Sequence, residues 1–449
     1  MVSSTNPNFK QLQVAVVGGG LGGLSAAVAL RRAGHLVEIY ERRDFNVEVG
    51  ASISCAANGT QWLREWDVDI PDMKPVILMK LVMRDWESGK ILNQYNLDNY
   101  EKEWGNVYNM LHRQDMHATL LKAATSSEGK GTPCTVKIDH MYVLCARPIC
   151  DSHHSCSLHS CESVDYEAGT VTFKNGVTVK ADLIIGADGI RSVVRGQIGV
   201  VPDMTSAPQT CYRLNVKKSV VDELGLVKYS YEPAIQFWGG MQGKNGRSKY
   251  YKIVMSPCFM PTELTKHHEE GFVFEEVPVS DVIAGKYDEL DPDCLNLLKN
   301  SVDRMPWRLY VHQPYKQWFK GNTCILGDAA HPMMPHQSQG ACQAIEDAAA
   351  LGIIFSEKYN FTTDVTAGLA MYQTIRKPRA TRVQTASARA TENLNERIGF
   401  TSLTPHDASL AAAEGKLTIN EMNSYQMHNH VATEVEKLGG GVGPTIAVM

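Results

Sequence analysis

Gly18, Gly20 and Gly23 fit the pattern G-x-G-x-x-G. Glycines at that spacing make a tight turn, let backbone approach a pyrophosphate and let a helix pack closely on a strand, so that phosphates meet the N–H groups of a helix N-terminus. Glu41 ends the next apolar run, Leu36-Val-Glu-Ile-Tyr-Glu41, about 20 residues on, where a ribose hydroxyl is expected. Together these residues point to dinucleotide binding. Two more glycine-bearing turns follow, Gly186-Ala187-Asp188-Gly189-Ile190-Arg191-Ser192 and Gly327-Asp328-Ala329-Ala330-His331-Pro332. Arg191 can hold an anionic group by charge-assisted hydrogen bonds without losing a proton; the competing reading is a structural ion pair. Cys145, Cys150, Cys156, Cys161, His153, His154 and His159 form one further cluster. Their spacing matches no standard pair of C-x₂-C ligands, and no metal is expected.

The elements that must carry these turns are legible around them. Gln13 to Val17 is a short apolar, β-branched run suited to a buried parallel strand, and Leu21 to Ala33 has apolar residues at helical spacing. Val177 to Ile185 and Thr323 to Leu326 are strand patterns that run into the second and third turns. Between residues 199 and 309 short β-type runs such as Ala234–Trp238 and Tyr250–Met255 alternate with glycine and proline, and core packing is the better reading of Phe237 and Trp238. The last hundred residues are mainly helical in pattern, and Gly439-Gly-Gly-Val-Gly-Pro444 reads as a flexible end.

Composition bounds the class. A chain of 449 residues, 43% hydrophobic and 21% charged, has ample material for a large core. A formal charge of -5 offers no broad basic surface for nucleic acid. Eleven cysteines, an odd number, suit reduced thiols in a reducing compartment. The glycines within residues 12–30, a single Lys10 in front and Arg31-Arg32 directly behind argue against a signal peptide or membrane helix there, no other uninterrupted run of about 18 apolar residues is present, and a cytoplasmic location is expected.

In this order and spacing the three glycine segments resemble the fingerprint of single-component flavin-dependent monooxygenases of the fungal salicylate hydroxylase type, over roughly residues 10 to 400. The resemblance implies an α/β fold: a Rossmann-type, glutathione reductase-like FAD-binding domain with an inserted β-rich substrate domain and a C-terminal helical region. The expected partition is 10–198 and 310–355 for FAD binding, 199–309 for substrate and 356–449 for the helical region and tail. It further implies that Asp188 and Gly189 shape a turn approached by the flavin phosphates and by a transient nicotinamide cofactor, and that Asp328 accepts hydrogen bonds from the ribityl chain. Gly340 and Ala341 would open a helix facing the flavin N1 and C2 carbonyl, where negative charge collects on reduction. Arg113, in Leu-His-Arg-Gln-Asp-Met-His, and Gly50 and Ala51 resemble further FAD contacts. Arg191 would point toward substrate with a catalytic role, and Tyr212 would hydrogen-bond a phenol unless it is an ordinary half-buried strand aromatic. Ser338 stands where many relatives have glycine, and His331 and His336 read as turn residues.

The activity implied is hydroxylation of an electron-rich aromatic, a phenol or salicylate-like molecule of fungal secondary metabolism. FAD, NADPH or NADH and O₂ would act through a flavin C4a-hydroperoxide. An epoxidase acting on an indole or isoprenoid precursor would keep the same cofactor residues, and a flavoprotein oxidase would insert no oxygen. A homodimer is left open. Residues 141–160 interrupt a family-like strand pair. Met141-Tyr142-Val143 can be encoded with the intron start GTATGT, and His159-Ser160 can end in CACAG, so a retained intron translated in frame is a hypothesis. A chain inactivated by that insertion is the third reading.

Overall fold

The computed structural model describes residues 7–42, 52–138, 161–226, 229, 233–242, 249–256, 278–283, 287, 289–391, 393–401, 409–411 and 413–439. A six-stranded sheet organises the first layer. Its strands lie in the order Phe319–Lys320, Thr323–Ile325, Leu183–Gly186, Gln13–Val17, Leu36–Glu41, Thr135–Ile138. All neighbours are parallel except the short Phe319–Lys320 edge. Central strands of a parallel sheet are covered on both faces, which is why Val14, Val16, Leu183, Ile184, Ile185, Cys324 and Ile325 form nearly unbroken apolar runs and are buried. The helices Leu21–Arg32 and Gly340–Ile354 pack on this sheet and on each other through small residues: a side chain at Gly352 would press on Ala29.

The register decides where the chemistry goes. Val17 pairs with Gly186, and Gly186 pairs with Ile325. The three glycine segments therefore leave three adjacent parallel strands at the same edge, the carboxyl end, where open α/β sheets bind ligands.

A second layer is antiparallel-rich. One four-stranded sheet runs Lys249–Met255, Ala234–Gln242, Lys80–Arg84, Ile91–Asn96, and a ribbon pairs Met204–Asn215 with Val302–His312. Lys80–Arg84 lies parallel to Ala234–Trp238, so this sheet takes two of its strands from the segment 10–198. Phe237 and Trp238 are buried core residues here; Trp238 donates to the Asp291 carboxylate at 3.1 Å. Beyond the Gly340 helix the chain is helical, with Val365–Arg389 and Met427–Lys437 as its main elements. Among the described residues no helix is long and apolar enough to cross a membrane, and no group of three His, Cys, Asp or Glu is placed to hold a metal ion. Residues 141–160, Gly50, Ala51 and the tail from 440 onward lie outside the described residues.

Candidate active site

The first turn shows three glycines with different reasons for being there. Gly18 has φ +107°, and a Cβ on it would overlap the Ala187 carbonyl of the second turn. A Cβ on Gly23 would overlap the carbonyl oxygen of Gly18, so this glycine seats the helix on its strand. A Cβ on Gly20 would meet no heavy atom within 4 Å. Among the described residues nothing excludes a side chain there. Gly20 is the extended N-cap of the helix Leu21–Arg32, which has no side-chain cap and no acid in its first turn. An open glycine before an uncapped helix N-terminus fits the approach of a pyrophosphate.

Glu41 reaches back to this loop, its Oε2 accepting from the Gly19 amide at 2.7 Å. His117 Nε2 lies 2.8 Å from the Gly19 carbonyl on the other side. His117 belongs to the helix Arg113–Thr125, one turn beyond Arg113, and so shares a face with it. The sequence reading named Arg113 and missed His117, whose only signal was that i, i+4 spacing. Arg113 is half-buried at the helix start, and its charge acts on Arg213. Arg213 stacks 4.6 Å from the Trp307 ring, beside Tyr212, which is half-buried opposite Pro306.

In the second turn Asp188 accepts from Ser192 Oγ (2.5 Å) and from the amides of Val193 (2.7 Å) and Val194 (3.2 Å). Its carboxylate thus fastens the turn and satisfies helix N–H groups. Arg191 is exposed, whereas Arg195 is buried. Arg195 donates to the Ile190 carbonyl at 2.8 Å and to the Ala329 carbonyl at 3.3 Å, which ties the second turn to the third.

The third turn rests on a buried ionic network. Asp347 accepts from the Gly327 amide (3.0 Å), from His331 Nε2 (2.5 Å) and from Arg376 Nε (2.8 Å). Its neighbour Glu346 pairs with Arg376 (2.6 Å) and Arg379 (2.6 Å) and accepts from Asn58 (2.7 Å), which also donates to Gln339 at 3.0 Å. Burial opposes the ionisation of both acids. Arg379 and Arg376 outweigh it at Glu346, and His331 and Arg376 outweigh it at Asp347, so both carboxyls stay below their ordinary range. The network leaves Asp328 exposed on the turn, available as an acceptor.

Ser338 adopts the left-handed conformation, φ +55°, which explains why glycine is common at this place. Here the serine is held instead by bonds from Ser54 Oγ to its carbonyl (2.8 Å) and from Arg397 to its hydroxyl (3.3 Å). Two residues on, the helix Gly340–Ile354 begins without a side-chain cap or a first-turn acid, and a Cβ on Gly340 would come no closer than 4.0 Å to another heavy atom. Gly340 and Ala341 are half-buried. This start is a second uncapped helix N-terminus, suited to a group that gains negative charge.

Two uncapped helix starts, an open glycine at each, Glu41 on the first loop and an exposed aspartate on the third turn make a donor and acceptor set that fits FAD. Comparisons with known proteins agree. The family model described as "FAD binding domain" matches residues 145–387, more than half of the chain, and the "NAD(P)-binding Rossmann-like domain" matches residues 16–62. The chain is 30% identical over 384 residues to hispidin-3-hydroxylase of Neonothopanus nambi, covering 82% of this chain and 86% of that one. It is 29% identical over 408 residues to the FAD-dependent monooxygenase cfoG of Aspergillus candidus, covering 84% of each. A salicylate hydroxylase solved as a substrate complex superposes with a TM-score of 0.64 at 19% identity, covering 94% of this chain and 97% of that one, and so shares the fold. With three turns on one sheet edge built for a flavin dinucleotide, and with these matches, the chain belongs to the single-component FAD-dependent aromatic monooxygenases.

Proposed function

We propose that this enzyme hydroxylates an electron-rich phenol or salicylate-like ring in fungal secondary metabolism, consuming O₂ and NADH or NADPH. The observation that carries the reading is the convergence of the three turns on one sheet edge, together with an uncapped helix start at Gly340. Relatives named for hydroxylation of hispidin and of salicylate support an aromatic substrate.

FAD, when bound, would supply the redox and oxygen chemistry. The chain's own residues provide the rest. Gly18, Gly20, Gly23 and the following amides would hold the pyrophosphate; Glu41 and Asp328 would accept from the ribose and the ribityl chain. Arg113, with Gly50 and Ala51, would complete the cofactor contacts. Amides at Gly340 and Ala341 would stabilise negative charge at the pyrimidine edge of the flavin. Asp188 would keep the turn through which the nicotinamide approaches. Arg191 and Tyr212 would orient the substrate. The test is hydroxylation of a panel of phenols under ¹⁸O₂ with NADPH oxidation followed in parallel. Phenol-stimulated oxidation and one labelled oxygen in the product are expected; oxidised product without label contradicts oxygen insertion.

A further inference from the structure

Lys252 lies in the strand Lys249–Met255, partly buried. Its Nζ donates to the Ala390 carbonyl at 2.7 Å and sits 3.1 Å from Nδ1 of His336. Arg397, 2% exposed, stands 4.5 Å from the Phe237 ring and bonds Ser338 Oγ and the Ile398 carbonyl. Among the described residues, Arg397 acts on Lys252, Lys252 and Arg397 act on His336, and the phenols of Tyr108 and Tyr100 act on Arg397. None of them is a carboxylate.

Among the described residues, these three side chains share a buried place with no carboxylate acting on Lys252 or His336. Among the described residues, Nε2 of His336 and Nε of Arg397 are buried atoms with no hydrogen-bond partner. With Nδ1 accepting from Lys252, the Nε2 of His336 carries the proton and is a donor. An ammonium at Lys252, after its bonds to Ala390 and His336, has a third N–H to give. Buried cations that lack a carboxylate either lose their charge or take an anion from a ligand. Burial, followed by Arg397, pushes Lys252 down to about 7, and burial, Lys252 and Arg397 push His336 down to about 3. The cluster adjoins Ser338, two residues before the helix start that would face the flavin.

We propose that Lys252 accepts the phenolic proton of the substrate, and that Lys252, His336 and Arg397 then hold the phenolate beside the Ser338–Gly340 turn. The step breaks the phenol O–H bond and forms an N–H bond at Nζ; no electron changes hands, and the neutral pair becomes an ion pair. A phenolate pushes more electron density into its ring than a phenol, which favours attack on electrophilic oxygen. The inference rests on the phenol hydroxylation proposed above and names its proton acceptor.

Sign and window follow from the depressed lysine. Below pH about 7 the free enzyme's amine is protonated and cannot accept, so kcat/KM for a neutral phenol rises as pH passes upward through about 7. The test uses the FAD-loaded enzyme and 4-nitrophenol, whose phenolate band reports its protonation state by difference absorption. From pH about 7 upward, wild type is expected to bind the probe more fully ionised than free probe is at the same pH. Lys252→Met should weaken that binding about tenfold or more and remove the rising limb. Lys252→Arg, which keeps a cation but cannot give up its proton, should retain the phenolate band and still lose the limb. Wild-type spectra and pH profile in both variants, or a limb that falls through about 7, would overturn the proposal. An enzyme that binds the probe as phenolate through Lys252 yet inserts no oxygen into any phenol would support the proton transfer and contradict the hydroxylase reading.

Discussion

Gly20 and Gly23 look alike in the motif but act on different quantities. Adding a methyl at Gly20 meets open space, so Gly20→Ala should lower apoprotein stability by at most ~1 kcal/mol, from a poorer N-cap, while weakening FAD binding. Gly23→Ala drives a Cβ into the Gly18 carbonyl and should cost ~3 kcal/mol or more before any cofactor is considered. Thermal melts of the two apoproteins, followed by FAD titration, separate the roles. Ser338 gives a prediction of opposite sign: Ser338→Gly relieves a left-handed φ of +55° and should be neutral or stabilising by up to ~1 kcal/mol, measured by Tm. The glycine turns were legible in sequence because their constraints are local, a positive φ or a close approach within a few residues. Lys252, His117, Arg195 and Arg397 were not. Lys252 meets its partners 84 and 138 residues away, and a single lysine in Tyr-Tyr-Lys-Ile-Val-Met carries no mark of that.

At the scale of elements, the helices Gly340–Ile354 and Val365–Arg389 hold the third turn through Asp347, Glu346 and Arg376, all without solvent exposure. Removing one partner leaves a buried charge alone, so Asp347→Ala should destabilise by roughly 3–5 kcal/mol and loosen the turn that carries Asp328. A denaturant melt and FAD retention measure both effects. The strand leading to Gln13–Val17 and the end of the Gly340 helix are joined through His35, which accepts from the Leu12 amide at 3.1 Å and bonds the Phe355 carbonyl at 2.8 Å. Burial pushes this imidazole down to about 4. Its folded value lies below its unfolded one, so the stability it provides is complete above pH ~6.5 and is lost as pH falls toward 4, by about 3 kcal/mol in all. Chemical melts of wild type and His35→Gln across that range should converge at the acid end; parallel curves contradict the assignment. The alternating patterns and turn signals made most of these elements readable. The parallel pairing of Lys80–Arg84 with Ala234–Trp238 was not, because a non-local register leaves no local signature.

Across the whole molecule, the order of the strands explains why three distant segments serve one cofactor. Val17, Gly186 and Ile325 stand side by side, and each strand hands its glycine turn to the same edge. The strands Thr135–Ile138 and Cys161–Asp165 bracket the segment hypothesised to be intron-derived, and they belong to two different sheets. A chain lacking residues 141–160 is therefore expected to keep its Tm and its FAD content; loss of either would show that the segment belongs to the fold. The most direct test of the enzyme's central chemistry is one turnover experiment on the purified yellow holoenzyme with NADPH, a phenol and ¹⁸O₂. Incorporation of one labelled oxygen into the ring, with the other in water and with nicotinamide oxidation stimulated by the phenol, is the expected result. Nicotinamide oxidation that yields only hydrogen peroxide across the phenol panel, with no label in any product, would contradict it.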